Sequence, residues 1–232
     1  MKRAFLIAAL LGHWVYMGTR PAPPVRLPVE TKTVVNSLQY INEAKGLLQE
    51  GDIVVRLHTD PASQFIKTFN RKDKKYSHAG IVLFENGTPY VYHIVNGSEN
   101  PGEKLRRDSL DQFCDPRKNQ SFGIFRYNLS STETRNMKLI IHKWYSQGVS
   151  FDHHFDLATD QKMYCSEMVS KALSKATSNR IHIPATKPTK LELGIFAAYS
   201  KLPFDQVKKM EVIAIDELYK QSGSTAVKEY RY

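Results

Sequence analysis

Residues 165–176 constrain the fold most strongly, because their pattern is that of an amphipathic helix whose first residue is a cysteine. The apolar positions follow Cys165 at helical spacing: Met168, Val169, Ala172, Leu173 and Ala176. This stripe directs the thiol into the fold. Free amide N–H groups and the positive end of the helix dipole at a helix N-terminus stabilise a thiolate, and the same amides can hold an oxyanion. The segment predicts either a cysteine nucleophile or a structural buried cysteine.

A histidine at the mouth of a predicted strand supplies a candidate base. His78 precedes small and β-branched residues, and a turn signal after the strand predicts a hairpin in which Leu83 pairs with Tyr90. His93 then lies on the same face, diagonal to His78, near enough for the side chains to meet. One histidine can take the proton from Cys165 while the other orients it. The alternative interpretation is that the histidine is a core residue whose ring nitrogens are hydrogen-bonded and which has no catalytic role.

The remaining pattern mixes strands with helices and lacks regular βα alternation, so it predicts an α+β fold. Further helices are predicted over residues 31–50, 109–113 and 132–145, and strands over residues 53–57, 79–84, 90–95, 122–127 and 211–215. A basic stretch at residues 71–75 is interpreted as a solvated loop.

The N-terminus has the pattern of an export signal. Lys2 and Arg3 precede an apolar run at residues 4–15, which is shorter than the ~20 apolar residues of a membrane span. We therefore predict a signal peptide or an uncleaved N-terminal anchor at residues 1–20, and a proline-rich linker at residues 21–30. A single domain over residues 31–220 and a polar tail at residues 221–232 complete the predicted organisation.

Composition excludes several classes of protein. The 232 residues are 41% hydrophobic and 24% charged, with no repeat period, which excludes collagen, coiled coils, solenoids and bulk disorder. The formal net charge of +10 suits an anionic cell-wall polymer or phospholipid headgroups, or simply a solvated surface. The sequence contains no nucleic-acid-binding motif, so we predict no such partner.

No cofactor or metal site is predicted. The residues considered for zinc are His153, His154 and Asp156, with His142 upstream. Adjacent histidines point apart, however, and no His-x-x-x-His pair supports a zinc site. Two cysteines cannot build a disulfide framework, and Cys114 is predicted to be a free, half-buried thiol.

Four motifs together resemble a known family. Gly51-Asp52-Ile53 opens a strand, residues 77–82 read Ser-His-Ala-Gly-Ile-Val, Asp152 follows an aromatic residue, and residues 164–169 read Tyr-Cys-Ser-Glu-Met-Val. The set resembles the permuted papain-like members of the NlpC/P60 superfamily, in particular the YiiX/YaeF group of cysteine amidases. Lecithin:retinol acyltransferase is a more distant relative. The resemblance covers about residues 51–176.

The resemblance implies a circularly permuted papain-like domain in which an antiparallel sheet packs against helices and the histidine strand precedes the cysteine helix. It implies Cys165 as nucleophile, His78 as base and His93 as the third polar residue, although many relatives have an acidic residue at that position. Tyr164, Ser166 and Asp152 match supporting positions, Asp152 by holding the loop before the nucleophile helix.

The expected function is that of an exported cysteine hydrolase of the periplasm or cell envelope. It would cleave an amide bond in a cell-wall peptide or an N-acyl compound through an acyl-enzyme. One alternative is an acyltransferase or lipid hydrolase of the same fold, acting on phospholipid or other acyl substrates. A second alternative is a cell-envelope module that binds a ligand without catalysis.

Overall fold

A six-stranded antiparallel sheet with strand order β4-β3-β2-β1-β5-β8 organises the protein. The computed structural model describes residues 29–97 and 100–232, so the predicted signal or anchor and most of the predicted linker lie outside the described residues. The sheet strands are β1 Ile53–His58, β2 His78–Glu85, β3 Thr88–His93, β4 Arg106–Ser109, β5 Asn119–Tyr127 and β8 Ser224–Arg231, and a separate parallel pair is β6 Ser150–Phe151 and β7 Lys162–Met163.

Seven α-helices occur in the described residues: α1 Val29–Leu47, α2 Pro61–Ile66, α3 Leu110–Phe113, α4 Ser131–Gln147, α5 Cys165–Ala176, α6 Lys190–Ser200 and α7 Phe204–Val207. Two 3₁₀ turns span Lys67–Phe69 and Ile215–Leu218. The predicted helix at residues 165–176 is confirmed at both ends. In the described part of the chain, no helix has the length and apolarity needed to cross a bilayer.

The two sheet faces bury separate apolar clusters, because successive strand residues point to opposite sides. Val55 and Ala79 belong to the larger cluster, which also contains residues of α4 and α5. Val54 and Phe113 belong to the second cluster, with residues of α1. The predicted α+β class, with an antiparallel sheet packed against helices, is confirmed.

The hairpin of β2 and β3 has the register predicted from its turn. Asn86 and Gly87 both have positive φ angles, 49° and 82°, as a tight two-residue turn of the hairpin requires. Leu83 pairs with Tyr90. This register decides which side chains of the two strands share a face.

Two predictions at the C-terminus are wrong. Residues 211–215, predicted as a strand, contain only the isolated bridge of Val212 to Thr186 before the second 3₁₀ turn begins. The last dozen residues, predicted as a polar tail, include β8, which pairs antiparallel with β5 along its length. Strand β8 lies at the sheet edge, where most of its side chains stay in solvent, so its polar composition is compatible with pairing.

The basic stretch at residues 71–75 is anchored rather than free in solvent. Asp216 is buried, and one of its carboxylate oxygens accepts hydrogen bonds from the backbone N–H groups of Arg71, Lys72 and Asp73. The Arg71 guanidinium donates to both carboxylate oxygens of Glu192 at 2.6 and 2.8 Å. These contacts hold the segment before β2 in one position.

Candidate active site

Cys165 begins α5 at the point where the helix meets the sheet. The preceding residue, Tyr164, has extended backbone angles (φ −94°, ψ 171°), and Glu167 accepts a hydrogen bond from its backbone N–H at 3.2 Å. The backbone N–H groups of Cys165, Ser166 and Ala79 favour the ionised form of the thiol. The sulfur therefore lies against two sets of amide donors, one from the helix and one from β2.

The protonation state of this thiol differs from the sequence expectation of a stabilised thiolate. Burial raises the pKa of Cys165 above its ordinary value and outweighs the opposing effect of the backbone N–H groups. Transferring a thiolate from water into the protein interior costs more free energy than its interactions with the backbone N–H groups provide. The resting residue is accordingly a thiol.

A chain of three side chains extends from the start of β2 to β4. His78 Nε2 lies 2.9 Å from His93 Nδ1, and His93 Nε2 lies 3.1 Å from Asp108 Oδ2. Arg106 in turn donates to Asp108 Oδ1 from two of its nitrogens, at 2.9 and 2.6 Å. The structure thus brings together the two histidines that the sequence placed on one face and adds an ionised partner to them.

Both histidines are held neutral by their surroundings. Burial lowers the pKa of His78 well below its ordinary value, and the positive charge of Arg56 lowers it further. Burial also lowers the pKa of His93, against the opposing effect of Asp108. The ring of His78 lies 5.6 Å from that of Phe113. A neutral imidazole is the form that can accept a proton.

The ring nitrogen of His78 that remains for the thiol is Nδ1, because Nε2 is engaged by His93. Alternation along β2 points the Ala79 side chain to the α5 face and the His78 ring to the opposite face. The backbone at the start of β2 adjoins the thiol, since the N–H of Ala79, the residue after His78, favours its ionised form. In the portion that the structure describes, no hydrogen bond joins the His78 ring to the sulfur, because the ring is engaged by His93 on the other face. This junction is the candidate active site.

Sequence reasoning missed Asp108. It lies on β4, a four-residue strand of sequence Arg-Arg-Asp-Ser that carries no apolar alternation. The available signal was the capping box of Ser109 and Gln112, which begins α3 and indicates an extended residue immediately before the helix. That signal alone does not identify β3 as the partner strand.

The three supporting residues of the sequence analysis contact the backbone. The hydroxyl of Tyr164 accepts from Ile213 N–H at 2.8 Å, and the hydroxyl of Ser166 donates to Ile213 carbonyl at 2.7 Å. Asp152 accepts from the N–H groups of His154 and Asp156 at 2.8 and 2.5 Å. They hold the segments on either side of α5 in place, and the Ser166 hydroxyl also favours the ionised form of the Cys165 thiol and so lowers its pKa.

The residues considered for zinc are not assembled. His153 pairs with Glu103 at 2.8 Å, whereas His142 lies 3.5 Å from the hydroxyl of Tyr92. Among the described residues, no group of three or more His, Cys, Asp or Glu side chains is arranged to hold a metal ion. Cys114, predicted to be half-buried, is completely buried in the second cluster and is a free thiol.

The pH dependence of alkylation tests the resting state of the site. Because burial raises the pKa of Cys165, its rate of reaction with iodoacetamide should increase with pH and show an inflection above the ordinary cysteine value of ~8.5. Cys114 provides an internal control, since its full burial should leave it unlabelled in the native protein. A rate already at its plateau near neutral pH would show a resting thiolate and contradict this description.

A second pH effect arises from Glu167. Burial raises its pKa from the ordinary 4.5 to about 7, despite Lys171 at 2.8 Å. Between these values the folded chain keeps a proton that the unfolded chain releases, so the free energy of unfolding should fall as pH rises, by up to about 3 kcal/mol. Denaturant unfolding of wild type and Glu167→Gln on either side of this window measures the contribution. An unchanged pH dependence in the variant would refute it.

Comparisons with known proteins agree with this geometry. A family model described as a permuted papain-like amidase enzyme, YaeF/YiiX, matches residues 47–228. The chain is also similar to the crystal structure of YiiX from Escherichia coli O157:H7, described as a metalloprotein, with 20% sequence identity and a TM-score of 0.62 over 79% of this chain and 98% of that chain. At this identity the likeness concerns the fold alone. No curated protein matches the chain.

Proposed function

This chain belongs to the permuted papain-like amidase enzymes of the YaeF/YiiX family, and we propose that it hydrolyses an amide bond of a cell-envelope substrate through an acyl-enzyme on Cys165. It is therefore a cysteine hydrolase in general terms. The specific proposal is supported by the His78–His93–Asp108 chain, which begins at the residue before Ala79, and by the effect of Ala79 N–H on the Cys165 thiol.

In the proposed first half-reaction, His78 Nδ1 takes the thiol proton as the sulfur attacks the carbonyl carbon of the amide. The C–S bond forms and the carbonyl π electrons move to oxygen. The backbone N–H groups at the start of α5 are placed to stabilise that oxyanion. When the intermediate collapses, the C–N bond breaks and His78 gives its proton to the departing amine.

In the second half-reaction, water attacks the thioester carbon while His78 takes a proton from it. The C–S bond breaks, the carboxylic acid leaves, and the proton returns to the sulfur. His93 keeps the His78 ring in position throughout, and Asp108 supports the positive charge that develops on the imidazole pair.

Two features support a cell-envelope substrate. The sequence begins with the basic residues and apolar run of an export signal, and the net charge of +10 favours an anionic environment such as cell-wall polymer. An amide in a wall peptide is the proposed substrate class, with N-acyl compounds next.

Product analysis tests the substrate class. Wild-type protein and Cys165→Ala are incubated separately with purified muropeptides and with N-acyl amino acids, and the products are measured by mass spectrometry. We expect a new amine and a new acid from one set, in the wild type only. Absence of any Cys165-dependent product from both sets would contradict the proposed substrates, and transfer of the acyl group to an added amine instead of water would identify an acyltransferase.

A further inference from the structure

Helix α6 buries Phe196 together with two polar residues and leaves a second group of apolar residues exposed or half-buried: Leu191 and Ala198 are exposed and Ile195 is half-buried. Glu192 and Ser200 are buried, whereas Leu191 is 79% exposed. Leu191, Ile195 and Ala198 follow one another at the i, i+4, i+7 spacing that places residues on one side of a helix.

Contacts on the inner side fix this orientation. Glu192 is held by the Arg71 guanidinium at 2.6 Å. Phe196, between Glu192 and Ser200 on the buried side, packs against Phe69 and Phe155, with ring centroids 5.4 and 4.9 Å apart. Rolling the helix to bury Leu191 would break the ion pair and remove Phe196 from the small cluster it shares with Val207.

The next helix carries a further exposed apolar residue. Phe204, the first residue of α7, is 48% exposed. We define the apolar face as Leu191, Ile195, Ala198 and Phe204. Exposed apolar side chains grouped on neighbouring helices are typical of a surface that interacts with a protein or a membrane.

Exposed lysines flank the apolar face along the sequence, and Lys208 Nζ lies 4.9 Å from the centre of the Phe204 ring. Residues 187–209 are all described, and five exposed lysines occur among them: Lys187, Lys190, Lys201, Lys208 and Lys209. The exposed carboxylate in this span is Asp205, since Glu192 is buried in its pair with Arg71. Apolar side chains rimmed by lysines match an interfacial surface for anionic lipid, in which the apolar residues enter the acyl boundary and the lysines meet the headgroups.

We propose that the apolar face docks the protein on an anionic lipid bilayer. Apolar burial gives the affinity, and the lysine rim restricts binding to negatively charged surfaces. Docking through this face is separate from the N-terminal apolar run at residues 4–15, and it requires no chemistry at Cys165. If the protein did not bind anionic lipid through this face, the proposed hydrolase function would therefore be unaffected.

A site-specific fluorescence experiment tests the proposal in the full-length chain. An environment-sensitive bimane label is placed at Leu191→Cys in a Cys165→Ala background, where Cys114 is completely buried. The matched control carries the label at Leu139→Cys, because Leu139 is an exposed leucine of α4, 63% exposed, that lies outside the apolar face. Both proteins contain residues 4–15, so any difference between them reports the local surface.

The expected result is a blue shift of the label at residue 191, and none at residue 139, when mixed phosphatidylcholine/phosphatidylglycerol vesicles are added. Pure phosphatidylcholine vesicles or high salt should abolish it. In unlabelled protein, Lys190→Gln/Lys208→Gln should weaken sedimentation with the anionic vesicles roughly tenfold relative to Lys143→Gln/Lys162→Gln. Equal shifts at both positions, or no shift at either, would overturn the proposal. A concentration-dependent shift without vesicles would also overturn it, since a second copy would then cover the face.

Discussion

Replacing Cys165 with alanine should lower kcat/KM for amide hydrolysis by roughly 10⁴- to 10⁶-fold, the loss that removal of a covalent nucleophile produces in other hydrolases. In the proposed mechanism the Cys165 sulfur is the atom that attacks the carbonyl carbon. Serine at the same position should be nearly as inactive, because its hydroxyl has a much higher pKa than a thiol and the neutral imidazole is a weak base.

The second cysteine provides the control for this variant. Cys114→Ala also removes one thiol, but that thiol lies in the second apolar cluster, so activity should stay near the wild-type level at a modest cost in stability. Equal activity of wild type and Cys165→Ala, on a substrate that both proteins process, would show that the reaction occurs elsewhere.

Substitutions along the His78–His93–Asp108 chain should lower kcat by different amounts. His78→Ala removes the base and should lower kcat by about 10²- to 10⁴-fold, the usual contribution of a positioned proton acceptor. Asp108→Asn should cost less, because Asp108 acts only through His93. The measurement is kcat against pH for each variant, with Asp111→Asn as control, since Asp111 pairs with Lys45 on the surface.

The titration of His93 distinguishes a positioning role of Asp108 from general damage to the fold. Asp108 raises the pKa of His93 by its hydrogen bond and charge, so Asp108→Asn should move the His93 titration, followed by NMR, to lower pH. An unshifted titration together with unchanged kcat would remove Asp108 from the chain.

Much of this site could be predicted from the sequence because the signals were local. The apolar stripe after Cys165 defined α5 to the residue. The turn at Asn86 and Gly87 fixed the hairpin register, and with it the meeting of His78 and His93. Each of these depends on side chains close together in the sequence, where periodicity and turn chemistry are most informative.

What could not be predicted depends on pairing between distant segments. Strand β8 joins β5 across about a hundred residues, and its side chains stay mostly in solvent, so neither periodicity nor composition distinguishes it from a tail. Asp108 requires knowledge that β4 lies beside β3. The raised pKa of Cys165 likewise depends on distant segments, since desolvation is set by tertiary packing, whereas the helix dipole is a local property.

The covalent intermediate tests the central claim most directly. Wild-type protein is mixed with p-nitrophenyl acetate, quenched in acid and digested, and the peptide containing Cys165 is examined by mass spectrometry. We predict an acetyl group on Cys165 that is absent from Cys165→Ala and forms more slowly in His78→Ala. Acetylation confined to other residues, with Cys165 unmodified while p-nitrophenol is released enzymatically, would contradict the assignment of Cys165 as nucleophile.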